Sequence, residues 1–155
     1  MFADLAKLGL VATLALGAGA ALAQGPERAV GARKAVMQLN AHYLGQLGAM
    51  AKGDVPYDAD AAGAAAASLA KVAALDARAM WPEGSDNGAL GADKTEALPV
   101  IWTNMDGFAA EAAALASASA ALAEAAGGGL DSLRGAMGPV GQACGACHKG
   151  FRAPK

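Results

Sequence analysis

The apolar positions of the C-terminal third recur at the spacings of a helix packed in a bundle. Leu130, Leu133, Met137, Val140, Cys144, Cys147 and Phe151 alternate steps of three and four, which lines them along one face and gives the helix a seam. Ile101, Met105, Phe108, Ala112, Leu115, Ser119 and Leu122 repeat the pattern one segment earlier. Gly and Pro punctuate the rest of the chain. A first helix is predicted from about Pro26, a favourable first-turn residue, to Lys52, where Gly53-Asp54-Val55-Pro56 ends it. A second is predicted from Asp58 or Asp60 as N-cap to Trp81-Pro82, with a thin stripe of Leu69, Val72, Leu75 and Met80 among alanines. The third starts near Pro99 and ends at Gly127-Gly128-Gly129, and Asp131 lies in the first turn of the fourth. Segments of about 25 residues are roughly 38 Å long, and short links make neighbours antiparallel. The predicted fold is therefore all-α, an antiparallel four-helix bundle. Two features disturb the pattern. Gly138-Pro139 falls inside the fourth helix and should kink or restart it. The stretch 81–98 is long for a loop in so small a bundle, which suggests a lid or a contact with the edge of a bound group.

Composition strengthens the helical reading: only 5% of residues are aromatic and alanine dominates. The front of the chain changes the picture of where it works. Residues 1–23 read as a secretory leader, with Lys7 in the n-region, a short apolar stretch over 8–20, and Ala21-Leu22-Ala23 as a small-residue cleavage pattern. Asp4 offsets Lys7, so an uncleaved anchor is the alternative. Cleavage leaves residues 24–155 as one domain of ordinary size, with no integral membrane segment expected in it. A formal net charge of −2 offers no general electrostatic case for nucleic acid. Lys149, Arg152 and Lys155 cluster at the end, either as cations favoured at a helix C-terminus or as a positive rim that steers an acidic redox partner.

The candidate chemistry is concentrated in Cys144-Gly-Ala-Cys147-His148, which holds the only two cysteines. The spacing C-x-x-C-H is the attachment signature of one c-type haem: both thiols bond the porphyrin, and the adjacent imidazole reaches the iron as an axial ligand. Other readings fit less well. A structural zinc site needs four ligands, and the supply is these three residues and the distant His42. A thioredoxin-like pair belongs at a helix start inside a βαβ pattern, and no β-pattern is present. A Cys144–Cys147 disulfide leaves His148 unexplained. Covalent haem attachment happens outside the cytoplasm, so motif and leader agree on a periplasmic protein.

With these parts in order, the chain resembles the class II cytochromes c, the family of cytochrome c′ and its low-spin relatives. The resemblance covers 24–155 and rests on the C-terminal Cys144-x-x-Cys147-His148-x-x-Phe151-Arg152, the segment Leu98-Pro99-Val100-Ile101-Trp102, and Arg33-x-x-x-Met37 in the first helix. It implies haem between the helices, His148 as proximal ligand, Arg152 near the proximal ring and Arg33 approaching a haem propionate. Thr95 and Glu96 fall where the family often contacts the haem edge. Val100 stands where relatives commonly carry an acidic residue. Homodimerisation through the first two helices is common in the family, and the partners are expected to be redox proteins.

Function then turns on the iron position opposite His148. Met37 aligns with the distal residue of the first helix, apolar in cytochrome c′ and a methionine ligand in the low-spin relatives. Its separation of four from Arg33 lets both face one haem. His42 lies five residues on, about 140° around the helix, and is expected at a surface or interface. Against ligation, Val30, Met37, Leu44 and Ala51 form a heptad row in which Met37 could be core filler. Six-coordinate iron held by His148 and Met37 implies an electron carrier, not an enzyme. Five-coordinate iron implies a protein that binds NO or CO. A peroxidase-like activity would want a distal acid–base residue, and the first helix offers only Asn40 near that face.

Overall fold

The computed structural model describes residues 18–154, and side chains from residue 25. The expected leader falls mostly outside the described residues, as does Lys155. Helix α1 runs Ala18–Lys52, so it begins before Pro26 rather than at it; the alanine-rich stretch ahead of the proline has strong helix propensity and carries the helix through. Its end is a Schellman turn. Gly53, at φ 84°, takes the left-handed conformation, and the Asp54 N–H donates to the Ala49 carbonyl at 2.9 Å.

Helix α2 covers Ala59–Ala73, with the Asp58 side chain accepting from the Ala61 N–H as N-cap. It stops well before the expected Trp81. The Asp76 side chain takes both the Arg78 N–H and its guanidinium, at 3.2 and 2.9 Å, and this local turn competes with further helix. A 3-10 turn follows at Arg78–Met80, and the 81–98 stretch contains one short helix, α3, Asn87–Leu90, capped by Asp86. The expected third helix is two: α4, Val100–Thr103, and α5, Met105–Ala125. Asn104 divides them, because its side chain accepts from the Gly107 N–H and starts a new helix there. Helix α6 is continuous from Leu130 to Phe151, so no restart occurs at Pro139. The proline denies the Gly135 carbonyl its usual donor, and Gly135 is exposed, so water can serve instead.

The four long helices form the antiparallel bundle. α1 packs on α2, α2 on α5 and α5 on α6, with a lighter contact between α6 and α1. Helix α5 is long and apolar enough to cross a membrane by length and composition, yet both its neighbours pack on it. The buried core gathers Leu47 and Met50 of α1, Ala62, Ala65, Ala66 and Leu69 of α2, Leu122 and Ala126 from α5 and its end, and Leu133 and Val140 of α6. At its far end, the Tyr57 hydroxyl donates to the Ala126 carbonyl at 2.8 Å and accepts from the Gly129 N–H at 3.0 Å. The Cys-x-x-Cys-His turn lies at the opposite end.

Candidate haem-binding site

The expected seam of α6 holds. Leu133 and Val140 are fully buried, and Cys144 packs against the core from its edge. Cys144 and Cys147, about one turn apart, are both free thiols and half-buried. Burial pushes both above the ordinary cysteine value, and for Cys147 the charge of Glu111 and the neighbouring Cys144 add to it. These are neutral thiols, unlike the activated thiolate of a redox Cys-x-x-Cys pair. His148 is held below its ordinary value, first by burial and then by Arg152, with Glu96 opposing. Its imidazole is therefore neutral near pH 7, the form that can bind a metal.

The C-terminal turn of α6 is tied to residues 96–98. Ala97 and Arg152 form an antiparallel bridge, the Leu98 N–H donates to the Phe151 carbonyl at 3.0 Å, and the Ala153 N–H to that of Glu96 at 2.8 Å. Glu96 and Arg152 pair at 3.9 Å, both substantially exposed, so the pair contributes little on its own. Lys149 is exposed nearby.

Arg33 is the polar centre of the other side. It is buried, at 5% exposure. Nη1 donates to the Met80 carbonyl at 3.3 Å and to Ser85 Oγ at 2.8 Å; Nη2 donates to the Ser85 carbonyl and to Thr95 Oγ1 at 2.8 Å. The guanidinium also lies 4.5 Å over the Trp81 ring. Trp81 meets Phe108 at 4.6 Å, and Phe108 meets Phe151 at 5.3 Å. This chain of contacts brings the Arg33 turn of α1 to the same end of the bundle as His148. Both N–H groups on each Nη are engaged, so of the five guanidinium donors Nε–H alone has no partner among the described residues, and it is the one that would approach a propionate. Thr95 is buried beneath Arg33 rather than at an open edge. Ser85 and Trp81, which sequence reasoning missed as site residues, complete this cluster.

Met37 lies one turn beyond Arg33 and is 44% exposed. Asn40, on the same side of α1, is buried, and its Oδ1 has no hydrogen-bond partner among the described residues. His42 is exposed and pairs with Gln46 at 2.9 Å, as expected of a surface residue. No three His, Cys, Asp or Glu side chains gather into a metal site among the described residues.

The donor set fits a haem. Two neutral thiols and a neutral imidazole share one end of α6, and a buried guanidinium stands with no carboxylate in ion-pair reach among the described residues. A buried cation is costly without a counter-charge, and burial indeed lowers the Arg33 pKa, with Asp86 only partly opposing. A haem propionate would carry the charge that this site lacks.

A helical bundle whose last helix ends in C-x-x-C-H defines a class II c-type cytochrome, and known proteins agree. The family described as Cytochrome C′ matches residues 28–152. Cytochrome c-554 of Cereibacter sphaeroides is 44% identical over 146 residues, covering 92% of this chain and 94% of that one. The structure of a cytochrome c′ from Rhodobacter spheriodes superposes with a TM-score of 0.77 at 41% identity, covering 84% and 98% of the two chains. A ferrous variant of cytochrome c prime from Alcaligenes xylosoxidans with bound NO superposes at 0.72 with 34% identity, covering 84% and 97%. The chain belongs to the cytochrome c′ family. Its cofactor is covalently attached haem c.

Proposed function

We propose that this protein is a periplasmic electron carrier in which Cys144 and Cys147 bond one haem, His148 is the proximal ligand and Met37 the sixth. The observation that carries the reading is the state of Met37. Core filler on the row Val30, Met37, Leu44 would be as buried as its neighbours. Val30 is 5% exposed and Leu44 packs against the core, whereas Met37 is 44% exposed and takes no part in it. Its thioether is thus uncommitted, one turn from the charge that suits a propionate.

When bound, the haem supplies the redox-active iron. The chain's residues do the rest. Neutral His148 offers a lone pair without first losing a proton, and Met37 offers a soft thioether that favours the reduced metal. Arg33 and Trp81 hold the α1 turn against the 81–98 stretch, so little need move when an electron arrives. The exposed Lys149 and half-exposed Arg152 present positive charge beside the motif to an acidic redox protein. Exposed Leu39 of α1 and Leu75 just past α2 support a homodimer through these helices.

The relative solved with NO favours a second reading, in which Met37 stays unbound and the iron takes NO or CO. The absorption spectrum separates the two. The carrier should show a methionine-to-iron charge-transfer band at the red end, lost in Met37→Ala with conversion to a CO-binding high-spin form. A native protein that is high-spin and binds CO freely overturns the carrier reading.

A further inference from the structure

The two helices that would face each other across a haem make only light contact, since α1 packs chiefly on α2 and α6 on α5. Residues 95–98 connect them. On the α1 side, Thr95 Oγ1 accepts from Arg33 Nη2 at 2.8 Å, and Ser85 Oγ accepts from Nη1 at 2.8 Å. The Asn87 N–H donates to the Ala97 carbonyl at 2.8 Å, which joins the Ser85 anchor to the same segment. On the α6 side, Ala97 bridges Arg152, and Leu98 and Glu96 bond Phe151 and Ala153. All the acceptors at Arg33 lie far along the chain from it, so the fork converts one guanidinium into a joint between distant segments.

We propose that residues 95–98 form a strap that sets the spacing between the Met37 turn of α1 and the His148 turn of α6, with Thr95 and Ser85 as its anchors on Arg33. Thr95 is then a positioning residue acting through Arg33, rather than a group at the haem edge. The consequence for ligation rests on the assignment of Met37 and His148 above, but the spacing itself does not.

The test uses the haem-loaded protein, in which the native cysteines are consumed by the cofactor. Nitroxides are attached at Gln38→Cys on α1 and Gln142→Cys on α6, both exposed positions, and their separation is measured by pulsed electron paramagnetic resonance. Thr95→Val removes the hydroxyl with little change in shape, and Ser85→Ala with Thr95→Val removes both side-chain anchors. The distance distribution should broaden in the first and broaden further or lengthen in the second, while Thr95→Ser restores the native one. The CO affinity of the ferrous protein should rise by about tenfold, the lower end of what a lost charge-assisted hydrogen bond is worth. Distributions in both variants that match the parent overturn the strap; should the double variant not fold, Thr95→Val decides alone. Met37→Ala is run in parallel. If it leaves the native spectrum intact, the ligand assignment fails, and the strap is still judged by the distances.

Discussion

Replacing Tyr57 by Phe tests whether the closed end of the bundle is stabilised independently of the haem end. The hydroxyl is the joint between α5 and α6: it donates to the Ala126 carbonyl at 2.8 Å and accepts from the Gly129 N–H at 3.0 Å. Gly129 is the N-cap residue of α6 and brings no side-chain cap of its own. Each hydrogen bond contributes about 1 kcal/mol net, and an acceptor left dry costs more. Ala126 is fully buried, so the loss should be about 2 kcal/mol. For a domain of this size that lowers Tm by roughly 6–8 °C. The measurement is a thermal melt followed by far-UV circular dichroism, with the haem absorption recorded on the same sample. The spectrum should not change, because the hydroxyl lies at the end of the bundle away from Cys144 and His148. A Tm within about 1 °C of the parent refutes the assignment of the bond's worth, and an altered haem spectrum refutes the separation of the two ends.

Leu69, fully buried in the core of α2, should lose about 3 kcal/mol as Leu69→Ala, measured by guanidinium denaturation, because neighbouring alanines cannot extend into the space. The Asp76 carboxyl is pulled down to about 2, chiefly by the hydrogen bond from the Arg78 side chain. A lowered carboxylate stabilises above its unfolded value and loses that contribution as pH falls through about 2. Its carbon-13 titration should therefore have a midpoint near 2, moving up toward the ordinary carboxylate value in Arg78→Ala. Replacing both Cys144 and Cys147 by Ala should leave no haem with the chain after denaturing electrophoresis.

The helix ends set by glycine were legible because the signal is local. Gly53 needs only its own φ, and the Gly127–Gly129 run interrupts helix wherever it stands. The break at Asn104 was not legible, since an Asn that caps a helix and an Asn on a helix surface look alike in an apolar repeat. Only the bond to Gly107 distinguishes them. The early end of α2 has the same origin in Asp76. At the site, Cys144, Cys147 and His148 are adjacent in sequence and could be read directly. The partners of Arg33 could not. Met80, Ser85 and Thr95 lie 47 to 62 residues away, and no local pattern distinguishes a serine that accepts from a guanidinium from one that faces water. The Nη donors of Arg33 hold the loop, which leaves Nε–H for the expected approach to a propionate.

Three buried alanines of α2, Ala62, Ala65 and Ala66, form a wall of methyl groups within the core. Alanine has no side-chain rotamers to surrender, so burying it costs backbone order alone. The same property leaves the wall nothing to rearrange. Longer, unbranched chains stand at the other end, with Met37 and Met105 more than 40% exposed. Side-chain freedom is therefore unevenly distributed along the bundle: the exposed thioethers can hop between rotamers when charge or ligand changes, whereas the alanine wall has no rotamers to contribute.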